Sequence, residues 1–254
     1  MKKIIAVTNQ KGGVGKTTTA LSIIGALRSR NYRVLGVDLD PQGSLGFSAG
    51  MDIENAVTVY DVLKGKHTVQ EAIERTDIGD ILPSNILLST AELEFNTPGR
   101  EYLLKNQLDL VRDKYDYIII DTPPALNVLT VNAYVSAEGL IIPMAPEILS
   151  LLGISQIRDT IDTVRRYYNP NLEVLGILLN RYNLRFVLNR EVEDMARSIA
   201  KTLNTKVFRT KIRSGIAVAE SPAHGESVIT YAPHSKPALD FQALVNELIK
   251  DSKK

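Results

Sequence analysis

Residues 3 to 18, Lys-Ile-Ile-Ala-Val-Thr-Asn-Gln-Lys-Gly-Gly-Val-Gly-Lys-Thr-Thr, constrain the fold more than any other stretch of the 254-residue chain. Ile4, Ile5, Ala6 and Val7 form a short, branched, uninterrupted apolar run, the pattern of a parallel strand covered on both faces. Gly12, Gly13 and Gly15 follow, and their missing side chains let backbone N–H groups turn inward on an anion. A helix opens at Lys16, so its free N–H groups and positive dipole end point at the same anion. Strand, loop and helix together predict a phosphate cradle built from the backbone of Gly13, Val14, Gly15, Lys16, Thr17 and Thr18.

The ordinary P-loop pattern is G-x-x-x-x-G-K-[ST]. Its last three positions are Gly15, Lys16 and Thr17, but Gln10 stands where the first glycine belongs, and Lys11 follows it. In such a loop Lys16 bridges the outer phosphates of a nucleoside triphosphate and Thr17 holds Mg²⁺. Lys11 is then either a solvated loop lysine or a residue whose task lies outside its own site.

Further apolar strands end in acidic or amide residues. The run 33–38 delivers Asp38 and Asp40 in Asp-Leu-Asp-Pro-Gln-Gly, and Tyr117-Ile-Ile-Ile closes on Asp121 before Thr122-Pro123-Pro124. Strands read at 139–144 and 175–179 follow, the last running into Asn180 and Arg181. Helical spacing is read at 59–64, 69–75, 101–114, 147–167 and 238–250. The alternation predicts one α/β domain over residues 1–254, a doubly wound, mostly parallel sheet with helices on both faces. Active sites of such sheets form where the strands end. Asp121 is therefore placed to hold a Mg²⁺ water, Asp40 to position the attacking water, and Asp38 either to hold the metal shell or to cap a turn. The Asn180 amide can meet a base or ribose with donor and acceptor.

The chain has 30 Lys and Arg against 29 Asp and Glu, so overall charge predicts neither nucleic-acid nor membrane binding. Absence of cysteine excludes disulfides, thiolate metal sites and iron–sulfur clusters. The apolar run at the N-terminus is too short for a signal peptide and none is long enough for a membrane span, which predicts a cytoplasmic protein. The last helix carries Leu239, Phe241, Leu244, Val245, Leu248 and Ile249 beside Asp240, Glu247 and Asp251, a pattern for core packing rather than for a membrane surface.

The strings K-G-G-V-G-K-T-T, V-D-L-D-P-Q-G, Y-I-I-I-D-T-P-P, L-L-N-R-Y and A-E-S-P-A-H-G span nearly the whole chain. Together they resemble the ParA/MinD family of ATPases with a deviant Walker A loop, most closely the small ParA or Soj type with no helix-turn-helix before the loop. The nitrogenase iron protein shares the loop but needs cysteines and is excluded. The resemblance implies ATP and Mg²⁺ as ligands and an ATP-dependent homodimer in which Lys11 reaches the partner's nucleotide. It puts the water-positioning carboxylate in D-x-D-P-Q, and a base site at Asn180 and Arg181 covered by Ile212 and Arg213. It also implies sequence-blind DNA binding on the nucleoid and a ParB-type centromere-binding partner that stimulates hydrolysis, in the service of plasmid or chromosome segregation. The alternatives are a MinD-like positioning ATPase on a membrane and a nucleotide-dependent regulator or scaffold.

Between residues 181 and 236, ten Lys or Arg stand against five Asp or Glu, an excess that favours phosphate backbones unless the charges are merely scattered and solvated. Similar proteins tend to read I-P-R-N-V-R-L where this chain has Ile212-Arg213-Ser214-Gly215-Ile216-Ala217-Val218, so Ser214 and Ala217 replace arginines of the kind proposed to touch DNA. Arg185, Arg190, Lys211, Arg213 and Lys236 are the remaining candidates.

Overall fold

Branched apolar runs that hydrogen-bond on both edges and alternate their side chains between two buried faces determine the architecture. The computed structural model describes residues 3–145, 154–183 and 188–251. Its strands are β1 (Ile4–Val7), β2 (Val34–Asp38), β3 (Glu74–Arg75), β4 (Asp80–Leu82), β5 (Tyr117–Asp121), β6 (Gly139–Met144) and β7 (Glu173–Leu179). They form one sheet in the order β3-β4-β2-β5-β1-β6-β7, parallel throughout except for the antiparallel β3–β4 pair at one edge.

Alternation splits the core into two layers. Ile4, Ala6, Ile118 and Ile120 face one side, where they pack with Leu104, Ala133, Ile157 and Ala196 from four helices. Ile5, Val7, Ile119 and Ile141 face the other and meet Ile24, Leu45, Val228 and Phe241. Helices on both faces of a parallel sheet are the doubly wound arrangement read from the sequence. The short helix Val59–Leu63 falls where the spacing placed it; the helix read at 69–75 is corrected, since it stops at Ala72, Ile73 turns extended and Glu74–Arg75 is the edge strand β3. Of the helix read at 147–167, Ile154–Tyr167 is seen, and 147–153 lies outside the described residues.

The helix read over 101–114 is corrected. A 3₁₀ turn at Arg100–Tyr102, an α-helix at Leu103–Asp109 and a second 3₁₀ turn at Arg112–Lys114 take its place. Asn132, from the neighbouring Val128–Ser136 helix, accepts the Leu104 N–H at 3.0 Å and donates to the Arg100 carbonyl at 2.8 Å. A side chain from another helix therefore satisfies the start of this one, while the spacing of Leu104, Leu108 and Val111 still buries all three.

The C-terminal helix Lys236–Asp251 buries Phe241, Leu244 and Val245 completely, in the layer that holds Ile24 and Leu27 of the Lys16–Arg28 helix. Its apolar face is core at Phe241, Leu244, Val245 and Leu248, whereas Leu239, read as part of that face, is exposed and Ile249 is half-buried. Among the described residues no helix is long and apolar enough to cross a membrane. Phe241→Ala is expected to lower the unfolding free energy by about 3–5 kcal/mol, the usual effect of truncating a buried phenylalanine, measured by denaturant titration.

Candidate functional site

The register of the central strands brings the acidic residues together. Asp38 and Asp121 end β2 and β5 directly opposite each other, and Asp121 also pairs with Val7, the last residue of β1 before the glycine loop. Two side chains that sequence reasoning missed fix that loop. Asn9 donates to the Pro143 carbonyl at 2.7 Å and accepts the Lys11 N–H at 3.0 Å, so one amide ties the loop to the end of β6. Thr8 shares a 2.9 Å hydrogen bond with the buried Tyr134 hydroxyl. The Asn9 contact to a residue two positions on is a local Asx turn, which the Asn-Gln-Lys-Gly string could have suggested.

Gly13 and Gly15 adopt φ of +74° and +89°, a region that side-chain-bearing residues rarely enter. A Cβ on Gly15 would also lie 2.7 Å from the Asn180 amide nitrogen. Gly15 is the N-cap of the Lys16–Arg28 helix, and no side chain caps that end. Its first N–H groups are thus presented to the loop's interior, as an anion cradle requires.

Lys16 is buried, and its ammonium donates to the Lys11 carbonyl at 3.3 Å. Burial lowers its pKa, while the negative charges of Asp121 and then Asp40 pull it back up. Asp121 is fully buried, and neither of its oxygens has a hydrogen-bond partner. Burial, reinforced by the charge of Asp38, raises its pKa well above the carboxylate range. The Thr17 hydroxyl, without closing a hydrogen bond of ordinary geometry, and the Lys16 charge oppose the shift. A buried carboxylate left without donors is costly. It fits a divalent cation with its waters, with Thr17 and Lys16 beside it.

Asp38 has a different surrounding. One oxygen accepts the Asp40 N–H at 2.9 Å and the other accepts the Leu45 N–H at 2.9 Å, with Gly46 at 3.4 Å. Burial still pushes its pKa up to about 7, against the backbone bonds that lower it. These contacts are those of the turn cap, the alternative to a metal-shell role. Asp38 clamps the loop that carries Asp40, and Asp121 is left as the carboxylate with open coordination. Asp40 is partly exposed. One of its oxygens accepts the Gln42 N–H at 3.0 Å, and its charge is felt at Lys16.

Asn180, Arg181, Ile212 and Arg213 line one cavity of about 260 Å³ together with Gly15 and Thr18. The Asn180 NH₂ donates to the Val14 carbonyl at 2.9 Å and to the Thr19 hydroxyl at 3.1 Å, leaving its buried oxygen without a partner. Arg213 is held by Asp240 through 2.9 Å and 2.6 Å bonds, and Arg181 sits at φ +53°. Of the basic candidates, Lys211 is ion-paired with Glu193 and lies over the Tyr182 ring. Lys236 is exposed, Arg190 belongs to the Leu188–Thr202 helix, and Arg185 lies outside the described residues.

A profile described as an AAA domain matches residues 2–174. The chain is 39% identical to the sporulation initiation inhibitor protein Soj of Bacillus subtilis, over 98% of each sequence. It is 37% identical to the chromosome partitioning protein ParA of Myxococcus xanthus, over 98% of this chain and 88% of that protein. The crystal structure of cobyrinic acid a,c-diamide synthase from Mycobacterium smegmatis with bound ADP and magnesium superposes with a TM-score of 0.87 at 37% identity, covering 100% of this chain and 96% of that one. The likeness runs along nearly the whole chain and includes the fold: the chain belongs to the AAA domain family and to the ParA/Soj-type P-loop ATPases.

Proposed function

We propose that the chain is a Mg²⁺-dependent ATPase that works as a dimeric switch in plasmid or chromosome segregation. In this reading the ATP-bound dimer holds DNA without sequence preference, and a ParB-type centromere-binding protein stimulates hydrolysis. The observation that carries the nucleotide chemistry is the orphaned Asp121 carboxylate beside Lys16 and Thr17, below an uncapped helix end. Mg²⁺ held there by Thr17 and, through water, by Asp121 would neutralise charge on the phosphates. Lys16 and the backbone of Gly13 to Thr18 grip those phosphates, and Asp40 places the attacking water. The M. smegmatis neighbour is named as a diamide synthase. Glutamine-dependent amide formation commonly runs through a thiol nucleophile, and this chain has no cysteine.

Adenine fits the cavity beside Asn180 because the only free function of that amide is an acceptor, which matches an exocyclic amino group and repels a guanine carbonyl. Asn180→Ala is expected to weaken ATP binding roughly tenfold, about 1.4 kcal/mol, and to narrow the preference for ATP over GTP in a competition titration.

Gly12 supports the dimer. It has no positive φ, and a Cβ added there meets nothing within 4 Å, so nothing among the described residues requires a glycine. A second subunit approaching the loop at Lys11 would. Gly12→Ala should leave melting temperature and monomer affinity for ATP unchanged but weaken ATP-dependent dimerisation roughly tenfold, the effect of about 1–2 kcal/mol of overpacking. Sedimentation with and without ATP measures this. Equal loss of nucleotide affinity would refute the intersubunit role of this loop.

The DNA surface is smaller than the charge count of residues 181–236 suggests. Lys206 pairs with Asp251, Arg197 with Glu193 and Asp194, and Lys211 and Arg213 with Glu193 and Asp240. Exposed Arg181, Lys201, Arg209 and Lys236 remain as the described cations for a salt-dependent, sequence-blind contact, Arg181 at the rim of the nucleotide cavity.

A further inference from the structure

Opposite the phosphate loop, at the edge where β2, β4 and β5 begin, lies a cavity of about 550 Å³ that the nucleotide chemistry does not use. Arg28, Arg33, Arg75 and Lys114 line it, with Asp80 as the single carboxylate in its wall. That carboxylate accepts the Tyr115 hydroxyl at 2.8 Å, and Arg33 is already paired with Asp116 through bonds of 3.3 Å and 2.9 Å. The side chains of Arg28, Arg75 and Lys114 form no hydrogen bond or ion pair among the described residues. Arg28, in the last turn of its helix, gains from the dipole there, whereas Lys114 ends only a three-residue 3₁₀ turn and Arg75 lies in β3.

These cations share one carboxylate, Asp80, which pairs in register with Arg75 across the strands, so the concavity carries an excess of positive charge that an anion bound in it would offset. The shape limits which anion. The volume suits a small molecule, and the wall includes apolar Val34, Ile73 and Val111, whereas a nucleic-acid duplex meets its cations on open ground. We propose that this cavity is a second phosphate site, which takes a small molecule carrying two or more phosphate groups, either an inorganic polyphosphate or a nucleoside polyphosphate.

The test titrates inorganic tripolyphosphate into the full chain saturated with Mg²⁺ and a fluorescent ADP, whose signal reports that the phosphate loop stays filled. The expected result is one saturable site whose affinity falls with salt and drops at least tenfold in the R75Q/K114Q double variant. Both side chains are exposed, so that variant should melt with the parent chain. CDP titrated in the same way separates the sources: tighter binding than tripolyphosphate assigns the apolar wall to a base, and weaker binding assigns the cavity to a bare phosphate chain. No binding to the ADP-filled protein, binding that the double variant leaves unchanged, or binding of duplex DNA alone would overturn the proposal.

Discussion

Lys16→Ala is expected to remove most of the rise in melting temperature that Mg·ATP gives the parent chain, while leaving the nucleotide-free protein as stable as before or slightly more so. The two halves of this result have separate causes. In the folded chain the Lys16 ammonium is held where burial disfavours its charge, and Asp121 and Asp40 offset that only in part. Removing it therefore relieves a strained group, although Asp121 loses a favourable neighbour and shifts further toward its protonated form. With triphosphate present the same charge is opposite an anion in a site closed to water, and truncating one partner of such a buried pair costs about 2–5 kcal/mol. The lower figure already weakens binding roughly thirtyfold, and ligand stabilisation falls with the logarithm of affinity. Thermal unfolding at fixed Mg·ATP reads both effects in one experiment. A variant that kept the parent's full nucleotide-induced shift would show that Lys16 does not bear on the phosphates.

How much of this site was legible beforehand depended on the range of the interaction. Backbone demands leave local marks: Gly13 and Gly15 stand where positive φ is needed, and the apolar runs ending in Asp38 and Asp121 give strands, sheet and the edge where the site forms. Pairing across the sequence leaves no such mark. Nothing in the string around Asp38 tells that both its oxygens accept N–H groups from residues 40, 45 and 46, whereas Asp121 receives none. Two carboxylates in equal-looking contexts thus separate into a loop clamp and a metal-shell candidate only in three dimensions. The pairing of the basic residues after 181 is hidden for the same reason, since Glu193 and Asp240 reach Lys211 and Arg213 from 18 and 27 residues away. Asn132, which starts a helix 28 residues before it, is the structural counterpart.

The second large effect falls on Asp40, where the clamp makes a sharper prediction than the motif alone. Its backbone N–H is fixed to Asp38, its carbonyl accepts the Gly43 N–H at 2.9 Å, and one carboxylate oxygen holds Gln42. Gly43 in turn has φ +65° and no room for a Cβ against the Ser84 carbonyl, 2.8 Å away. The carboxylate is therefore presented from a braced turn, as a group that orients water must be. Asp40→Asn keeps an oxygen for the Gln42 N–H and the volume of the side chain, and removes only the charge and the ability to accept a proton. We expect turnover to fall about 10²–10⁴-fold, the usual contribution of a positioned general base, with ATP affinity and ATP-dependent dimer mass retained. Single-turnover hydrolysis and sedimentation with ATP measure the two quantities on one sample. Normal turnover in Asp40→Asn would remove Asp40 from the reaction. Loss of the dimer together with hydrolysis would instead make it a structural element of the loop.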